Sequence, residues 1–310
     1  MNKKPLLAYF VLLFILSAGF VVGARILGEN GAYLAQGYML TPALAAILTR
    51  LFFYPLHFED AYLRFGKFKD YLKFWSLALG ITALSFVFYT LFGAIKWDLS
   101  GSSFLARLSE QFAMSGQDMV DSLPSGFTPE MMLLIFTLGG LTVFNIMPGL
   151  ISGFGEEFGH RGFMFPLLYR INPWLGLLGG GLIWYAWHLP LSLIISSQVD
   201  LPPGASVLNH ITLAIGCVCT FTYLAYVYLK SGSVFVTSIA HIAMNNAAGA
   251  FSYYVIVQDQ LLANVCNSLV MVIVVGILYL TKELQVFKLR AIHTTDVLDL
   301  STQKQEPSPR

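Results

Sequence analysis

Long apolar segments, separated by short polar stretches, recur along the whole 310-residue chain. A helix of about 20 apolar residues crosses the roughly 30 Å hydrocarbon core of a bilayer. These segments, together with the Pro and Gly residues that interrupt them, predict eight membrane spans. The predicted spans are 5–22, 33–54, 74–95, 131–151, 175–196, 210–229, 234–257 and 261–281.

The fourth apolar segment is too long for one straight crossing if it continues to Tyr169. Pro148 and the glycines that follow it, at positions 149, 153 and 155, provide a place for the helix to bend. The pattern therefore predicts an all-α membrane helix bundle of about eight transmembrane helices with a kinked fourth segment.

Composition supports a membrane protein and excludes other classes. Only 11% of the residues are charged and 56% are hydrophobic, whereas soluble domains carry about 25% charged residues. The net charge of +1 argues against a nucleic-acid partner. The three cysteines indicate neither a disulfide framework nor a thiolate metal site.

The distribution of basic residues predicts the orientation. With the N-terminus in the cytoplasm, 15 of the 18 Lys and Arg residues fall on the cytoplasmic side, as the positive-inside rule requires. Both termini are then cytoplasmic. The longest external loop, 96–130, is expected to contain an amphipathic helix around residues 104–112.

Ionisable residues inside the apolar segments are the candidates for chemistry, because they are costly to place in a membrane. Glu156 and Glu157 precede Arg161, and His188 and His241 each lie in a later span. Helical rise places Glu156, His188 and His241 at depths from which they can meet.

Spacing along the helices sorts these side chains further. Glu157 and Arg161 are four residues apart and can pair on one helix face. His241 and Asn245 share a face in the same way, whereas Glu156 points about 100° away from Glu157. His160 is expected at the rim of a cavity or at the membrane interface.

A carboxylate and two imidazoles in an apolar pocket suit two kinds of chemistry. Glu156 can take a proton from water that His188 also holds, while His241 and Asn245 donate hydrogen bonds to a developing oxyanion. Alternatively, Glu156, His188 and His241 can ligate a zinc ion that activates the water. Spacing alone does not choose between these alternatives.

The three motifs resemble those of the CAAX protease and bacteriocin-processing family, which includes the type II CAAX prenyl endopeptidases. They are Glu156-Glu157-x-x-x-Arg161, Trp184-x-x-x-His188 and His241-x-x-x-Asn245, and they follow the family's order on three separate spans. One position departs from the family, since Trp184 stands where Phe is usual.

This resemblance implies an intramembrane endopeptidase with defined residue roles. Glu156 is implied as the general base, His188 as its partner, and His241 with Asn245 as the oxyanion-stabilising pair. Glu157 and Arg161 are implied to orient the site or contact substrate, and Trp184 to form an aromatic wall. The metal-independent mechanism is preferred, with no cofactor, and zinc remains the alternative.

The resemblance also frames the expected domains, partners and location. Residues 1–285 are expected to form the transmembrane bundle with a catalytic core at about 150–250, and residues 286–310 a partly disordered cytoplasmic tail. The expected partners are membrane lipid and a membrane-associated protein or peptide substrate, in a prokaryotic plasma membrane. The alternative functions are a non-catalytic partner-binding or immunity protein and, less favoured, a proton-coupled transporter.

Overall fold

The computed structural model describes residues 3–114, 116–142, 149–191, 194 and 202–287. Over these ranges the chain forms twelve α-helices, two π-helical turns, two 3-10 helices and one two-stranded ribbon. The α-helices are α1 (Lys4–Leu27), α2 (Ala35–Met39), α3 (Thr41–Phe53), α4 (Phe68–Leu91), α5 (Ser102–Met114), α6 (Pro129–Leu141), α7 (Gly149–Gly159), α8 (Phe165–Ile171), α9 (Gly180–His188), α10 (Pro203–Ser231), α11 (Val234–Ser252) and α12 (Gln260–Leu280). The 3-10 helices are Gly28–Leu34 and Glu283–Gln285, and the π-helical turns are His160–Met164 and Leu175–Gly179.

Five of the described helices are long and apolar enough to cross a membrane, and they make the chain an integral membrane protein. They are α1, α4, α10, α11 and α12, which correspond to the first, third, sixth, seventh and eighth predicted spans. Local signals set their limits: α1 has Pro5 in its first turn and stops at Gly28, whose φ is 58°.

The other three predicted spans are each divided into shorter helices. The second contains part of a 3-10 helix, then α2 and α3, and Pro42 lies in the first turn of α3. The fourth is divided into α6, α7, the His160–Met164 turn and α8. The expected bend at Pro148 lies outside the described residues. A count of eight continuous transmembrane helices is therefore not confirmed.

The fifth predicted span combines the π-helical turn Leu175–Gly179 with the short helix α9. Helix α9 ends at His188, two residues before Pro190, which has no N–H to continue the helical hydrogen bonding. Leu189 N bonds instead to Ala186 O at 3.3 Å.

A small ribbon joins two distant helix ends. Strand β1 (Ile95–Trp97) follows α4 and pairs antiparallel with β2 (Val255–Val257), between α11 and α12, with Lys96 opposite Ile256. The amphipathic helix expected in the 96–130 loop is present as α5, whose start is capped by Asp98 Oδ2 accepting from Ser103 N at 2.7 Å.

The core is formed mainly by aromatic and small residues where α7, α8, α9, α10 and α11 meet α1 and α3. Helix α7 lies very close to α3, because a Cβ at Gly159 would be 2.3 Å from the carbonyl carbon of Pro42. Phe287 is buried against Phe165 and Tyr169. The rest of the expected tail, 288–310, lies outside the described residues.

Candidate active site

Helix α7 carries two carboxylates into the middle of the bundle. Glu156 is 2% exposed and Glu157 is fully buried. The glycines of α7 make this possible, since a Cβ at Gly155 would lie 2.8 Å from Met39 O and a Cβ at Gly153 would lie 2.7 Å from Ile242. Because both neighbours approach the α7 backbone so closely, the carboxylates are enclosed by protein.

Glu156 meets the aromatic motif of α9 through one oxygen. Its Oε2 accepts a hydrogen bond from Trp184 Nε1 at 3.0 Å and lies 3.4 Å from His188 Nε2. Its Oε1 has no hydrogen bond to any described residue, and the His188 side chain is 30% exposed. One carboxylate oxygen is thus held in place while the other is available to a ligand.

The tautomer of His188 follows from its backbone contact. Its Nδ1 lies 2.8 Å from Trp184 O, and because a carbonyl can only accept, Nδ1 must carry a hydrogen. In the neutral ring Nε2 is then an acceptor that faces the Glu156 carboxylate. Two acceptors side by side suit one water molecule, which has two hydrogens to donate.

Glu157 forms a second cluster with a residue of its own helix and one of α11. Its Oε1 accepts from Arg161 Nη1 at 2.9 Å and lies 2.8 Å from His241 Nδ1. The predicted pairing of Glu157 with Arg161 is therefore present. The Arg161 guanidinium also packs over the rings of Trp184 and Phe221, at 4.5 and 4.2 Å from their centroids.

Several polar atoms of this second cluster lack a partner. Among the described residues, Oε2 of Glu157 and both Nε and Nη2 of Arg161 are buried without a hydrogen bond. Buried polar atoms are normally satisfied by protein or by ordered water. Three unsatisfied atoms beside Glu156 therefore mark a place where additional polar atoms, from water or from a substrate, can bind.

The seven candidate residues are not all brought together to the same degree. Glu156, Trp184 and His188 are linked directly, and Glu157, Arg161 and His241 form the adjacent cluster. Asn245 lies one turn beyond His241 and is exposed, and no hydrogen bond joins it to another described residue.

The described side chains do not fit the three-ligand zinc site considered from the sequence. Over these residues, no group of three His, Cys, Asp or Glu side chains is arranged to hold a metal ion. His241 directs its Nδ1 to Glu157 rather than to Glu156. The zinc alternative therefore lacks a matching set of ligands in the described part of the chain.

Sequence reasoning missed an aromatic and hydroxyl cluster behind the site. Trp187 Nε1 donates to Ser17 and Thr41, and the Tyr38 hydroxyl donates to Trp187 O. Only Trp187, next to His188, carried a sequence signal, because the others lie far away in the chain.

His160 was expected at a cavity rim or at the membrane interface, and this expectation is wrong. The residue is fully buried, with its Nδ1 3.5 Å from the Tyr9 hydroxyl and its ring against Trp187. Helix α1 covers it, which the sequence did not reveal. A residue of the first helix therefore reaches the turn that follows Glu156.

Comparison with known proteins agrees with this geometry. No curated protein matches the chain. Residues 138–247 match the family described as type II CAAX prenyl endopeptidase Rce1-like, which is a protease family. The matched segment contains all seven candidate residues, and over residues 138–247 this integral membrane protein is similar to that family of CAAX endopeptidases.

Proposed function

We propose that this protein is an intramembrane endopeptidase that hydrolyses a peptide bond with a water molecule activated by Glu156. The observation that carries the proposal is the buried Glu156 carboxylate, with Oε2 held by Trp184 and facing His188 Nε2 while Oε1 has no bond to a described residue. The match of the surrounding segment to a protease family supports it.

The first chemical step is activation and attack of water. Glu156 and His188 Nε2 accept the two hydrogens of one water molecule, which aligns its oxygen lone pair toward a bound substrate. As that oxygen bonds to the peptide carbonyl carbon, one proton passes to the Glu156 carboxylate. The carbonyl oxygen becomes an oxyanion in a tetrahedral intermediate.

The second step is collapse of this intermediate. The oxyanion re-forms the carbonyl, the C–N bond breaks, and the proton held by Glu156 passes to the leaving amine. The products are a carboxylic acid and an amine, and Glu156 is again a carboxylate. A group with both roles must exchange protons readily in each direction, which suits a carboxyl shielded from bulk water.

The α11 residues are proposed to stabilise the oxyanion. His241 Nδ1 is directed at the Glu157 carboxylate, so donation from Nε2 requires the doubly protonated ring, with Glu157 as its counter-ion. Asn245, one turn on and without hydrogen bonds to other described residues, can supply a second donor from its amide. Glu157 and Arg161 hold His241 in place.

The substrate class follows from the setting of the site. A peptide bond must reach a carboxylate enclosed by helices, so the substrate is a membrane-associated protein or peptide. The matched family is described as type II CAAX prenyl endopeptidase Rce1-like. A prenylated C-terminal tail is therefore the first substrate class to test. With the site nearer the cytoplasmic side and both termini cytoplasmic, cleavage is proposed on the cytoplasmic side of a prokaryotic plasma membrane.

The decisive experiment compares wild type with Glu156→Gln in detergent, on a library of membrane peptides that includes prenylated tails. Glutamine keeps an oxygen for the Trp184 N–H but cannot take a proton, so cleavage should fall by about 10²–10⁴-fold. Thermal unfolding should show a folded protein, and Glu110→Gln, on the exposed face of α5, serves as the matched control.

Four other outcomes would change the proposal. Cleavage that survives in Glu156→Gln would exclude the carboxylate as the base. Cleavage that a chelator removes and zinc restores would replace the metal-free mechanism. If wild type cleaves nothing and Glu156→Gln keeps the cellular function, the partner-binding alternative replaces the protease proposal. Substrate-dependent proton flux would instead indicate the proton-coupled transporter.

A further inference from the structure

Trp187, the residue before His188, is held by side chains from three N-terminal helices. It is 6% exposed, and its indole Nε1 donates to Ser17 Oγ at 3.2 Å and Thr41 Oγ1 at 3.3 Å. The Tyr38 ring stacks on the indole, with centroids 5.1 Å apart and planes inclined by 18°. The same tyrosine donates its hydroxyl to Trp187 O at 2.5 Å.

The directions of these hydrogen bonds can be assigned. Thr41 Oγ1 donates its single hydrogen to Tyr38 O at 2.8 Å. The 3.1 Å contact between Ser17 Oγ and Thr41 Oγ1 must therefore use the Ser17 hydrogen. A closed circuit results, from the Trp187 N–H to Thr41, from Thr41 to the Tyr38 carbonyl, and from the Tyr38 hydroxyl back to the Trp187 carbonyl.

This circuit, here called the Trp187 clamp (Ser17, Tyr38, Thr41 and Trp187), is well shielded. Thr41 and Tyr38 are fully buried and Ser17 is 8% exposed. Removing one member of a buried network leaves the other members without hydrogen-bond partners, which is unfavourable. The geometry of Trp187 is therefore tightly determined by α1, α2 and α3.

The clamp acts at the C-terminal end of α9. Helix α9 ends at His188, two residues before Pro190, which has no N–H to donate. The Tyr38 hydroxyl caps the Trp187 carbonyl. The indole meets the His188 ring edge-to-face at 4.7 Å, so displacement of Trp187 would displace His188.

We propose that the Trp187 clamp positions His188 against Glu156, and that the N-terminal helices are part of the catalytic apparatus. Ser17, Tyr38 and Thr41 are thus positioning residues that touch no reacting atom, and all three lie outside the 138–247 segment that matches the family. The inference rests on the proposed function for its catalytic consequence, but the position of His188 can be measured without it.

The main test replaces both acceptors of the indole N–H, in the full-length double variant Ser17→Ala/Thr41→Val. We expect kcat per folded molecule to fall at least about tenfold, because displacement of a catalytic group by about 1 Å can cost 10²-fold. KM should stay within about twofold. The exchange Ser17→Thr/Thr41→Ser retains both hydroxyls and should recover most of the activity.

Ser268→Ala is the matched control, because Ser268 is also buried and its hydroxyl bonds to Thr212 O at 2.8 Å, between α10 and α12. It should reduce stability without changing kcat per folded molecule. If it lowers kcat as much as the double variant does, the effect is general loosening and the inference is wrong.

An activity-independent measurement separates this inference from the proposed function. Ring-nitrogen NMR signals of His188, assigned by their loss in His188→Gln, should show the Nδ1–H tautomer in wild type and a mixture of tautomers in the double variant. If the double variant does not fold, Tyr38→Phe, which removes one hydroxyl only, should shift the same signals. Unchanged His188 signals in the folded variants would overturn the inference, even if wild type cleaves no substrate.

Discussion

Among the described residues two arginines are fully buried, Arg50 and Arg161, and their surroundings differ. Arg50 donates through Nη1 to His57 O and to Asp60 Oδ1 at 2.7 Å, and through Nη2 to Gly162 O at 2.6 Å. Among its nitrogens only Nε lacks a partner in the described part of the chain. Arg161 makes one hydrogen bond, to Glu157, and both its Nε and Nη2 lack partners there.

The difference indicates what each cluster is for. Two of the Arg50 acceptors are backbone carbonyls, so this arginine joins α3, the segment after it and the His160–Met164 turn into one rigid unit. The Arg161 cluster lies beside Glu156 and includes His241, and it retains unsatisfied polar atoms. In the structural cluster the protein satisfies most of the polar atoms, whereas the reactive one retains more capacity for a ligand.

Among the variants that compare these two clusters, the largest loss of stability and activity is expected from Glu157→Gln. This change removes the negative charge that Arg161 and His241 share. Leaving a buried arginine without its counter-charge costs about 3–5 kcal/mol. Cleavage per folded molecule should fall about 10²-fold as well, because His241 loses the group that orients it. Chemical denaturation and peptide cleavage on the same preparation would measure both.

The matched change Asp60→Asn should affect stability alone. It also replaces a carboxylate beside a buried arginine by its amide, and this carboxylate is only 8% exposed. The unfolding free energy should therefore fall by about 3 kcal/mol. Cleavage per folded molecule should remain near wild type, since Asp60 contacts Arg50 and Tyr54 and none of the candidate catalytic residues. An equal loss of specific activity in both variants would remove the distinction between the two clusters.

The smallest effect is expected at an exposed ion pair, Lys230–Glu283, with 2.7 Å between Nζ and Oε2. Hydrogen bonds from Lys230 and Tyr226 lower the pKa of Glu283, so its contribution is present above the unfolded pKa and is lost as pH falls through the folded pKa. Glu283→Gln should therefore cost less than about 1 kcal/mol at neutral pH.

The same variant should remove part of the acid dependence of stability, and added salt should weaken the wild-type pair. Thermal unfolding of wild type and Glu283→Gln at neutral and acidic pH would check this. If Glu283→Gln lowered the unfolding free energy as much as Asp60→Asn does, exposure would be a poor guide to the strength of ion pairs in this protein.

Local patterns predicted a large part of this molecule. Helix length and apolar composition identified the five long helices, and the four-residue spacing identified the Glu157–Arg161 pair, because both depend on neighbours in sequence. The hydrogen bond from Trp184 to Glu156 was not predicted. It depends on how α9 packs against α7, which no local pattern specifies.

Long-range packing also explains the errors. The second and fifth predicted spans were treated as single helices and the fourth as one kinked segment, although each contains changes of helix type that a count of apolar residues does not detect. His160 was placed at a rim or interface because nothing in its own segment shows that Tyr9 covers it. The Trp187 clamp joins residues about 150 positions apart, so only the folded arrangement reveals it.

The π-helical turn at His160–Met164 has a consequence for the phase of the segment. An α-helix advances 100° per residue, and a π turn holds an additional residue. Phe165 and Leu168, which face the core, would be rotated by about 100° if the turn were α-helical. A single α-helical wheel drawn through α7 and α8 therefore assigns the side chains of α8 to the wrong face of the helix. A deletion of one residue within the turn would be absorbed by its conversion to α-helix, whereas a deletion within α7 would rotate the side chains that follow it by about 100°.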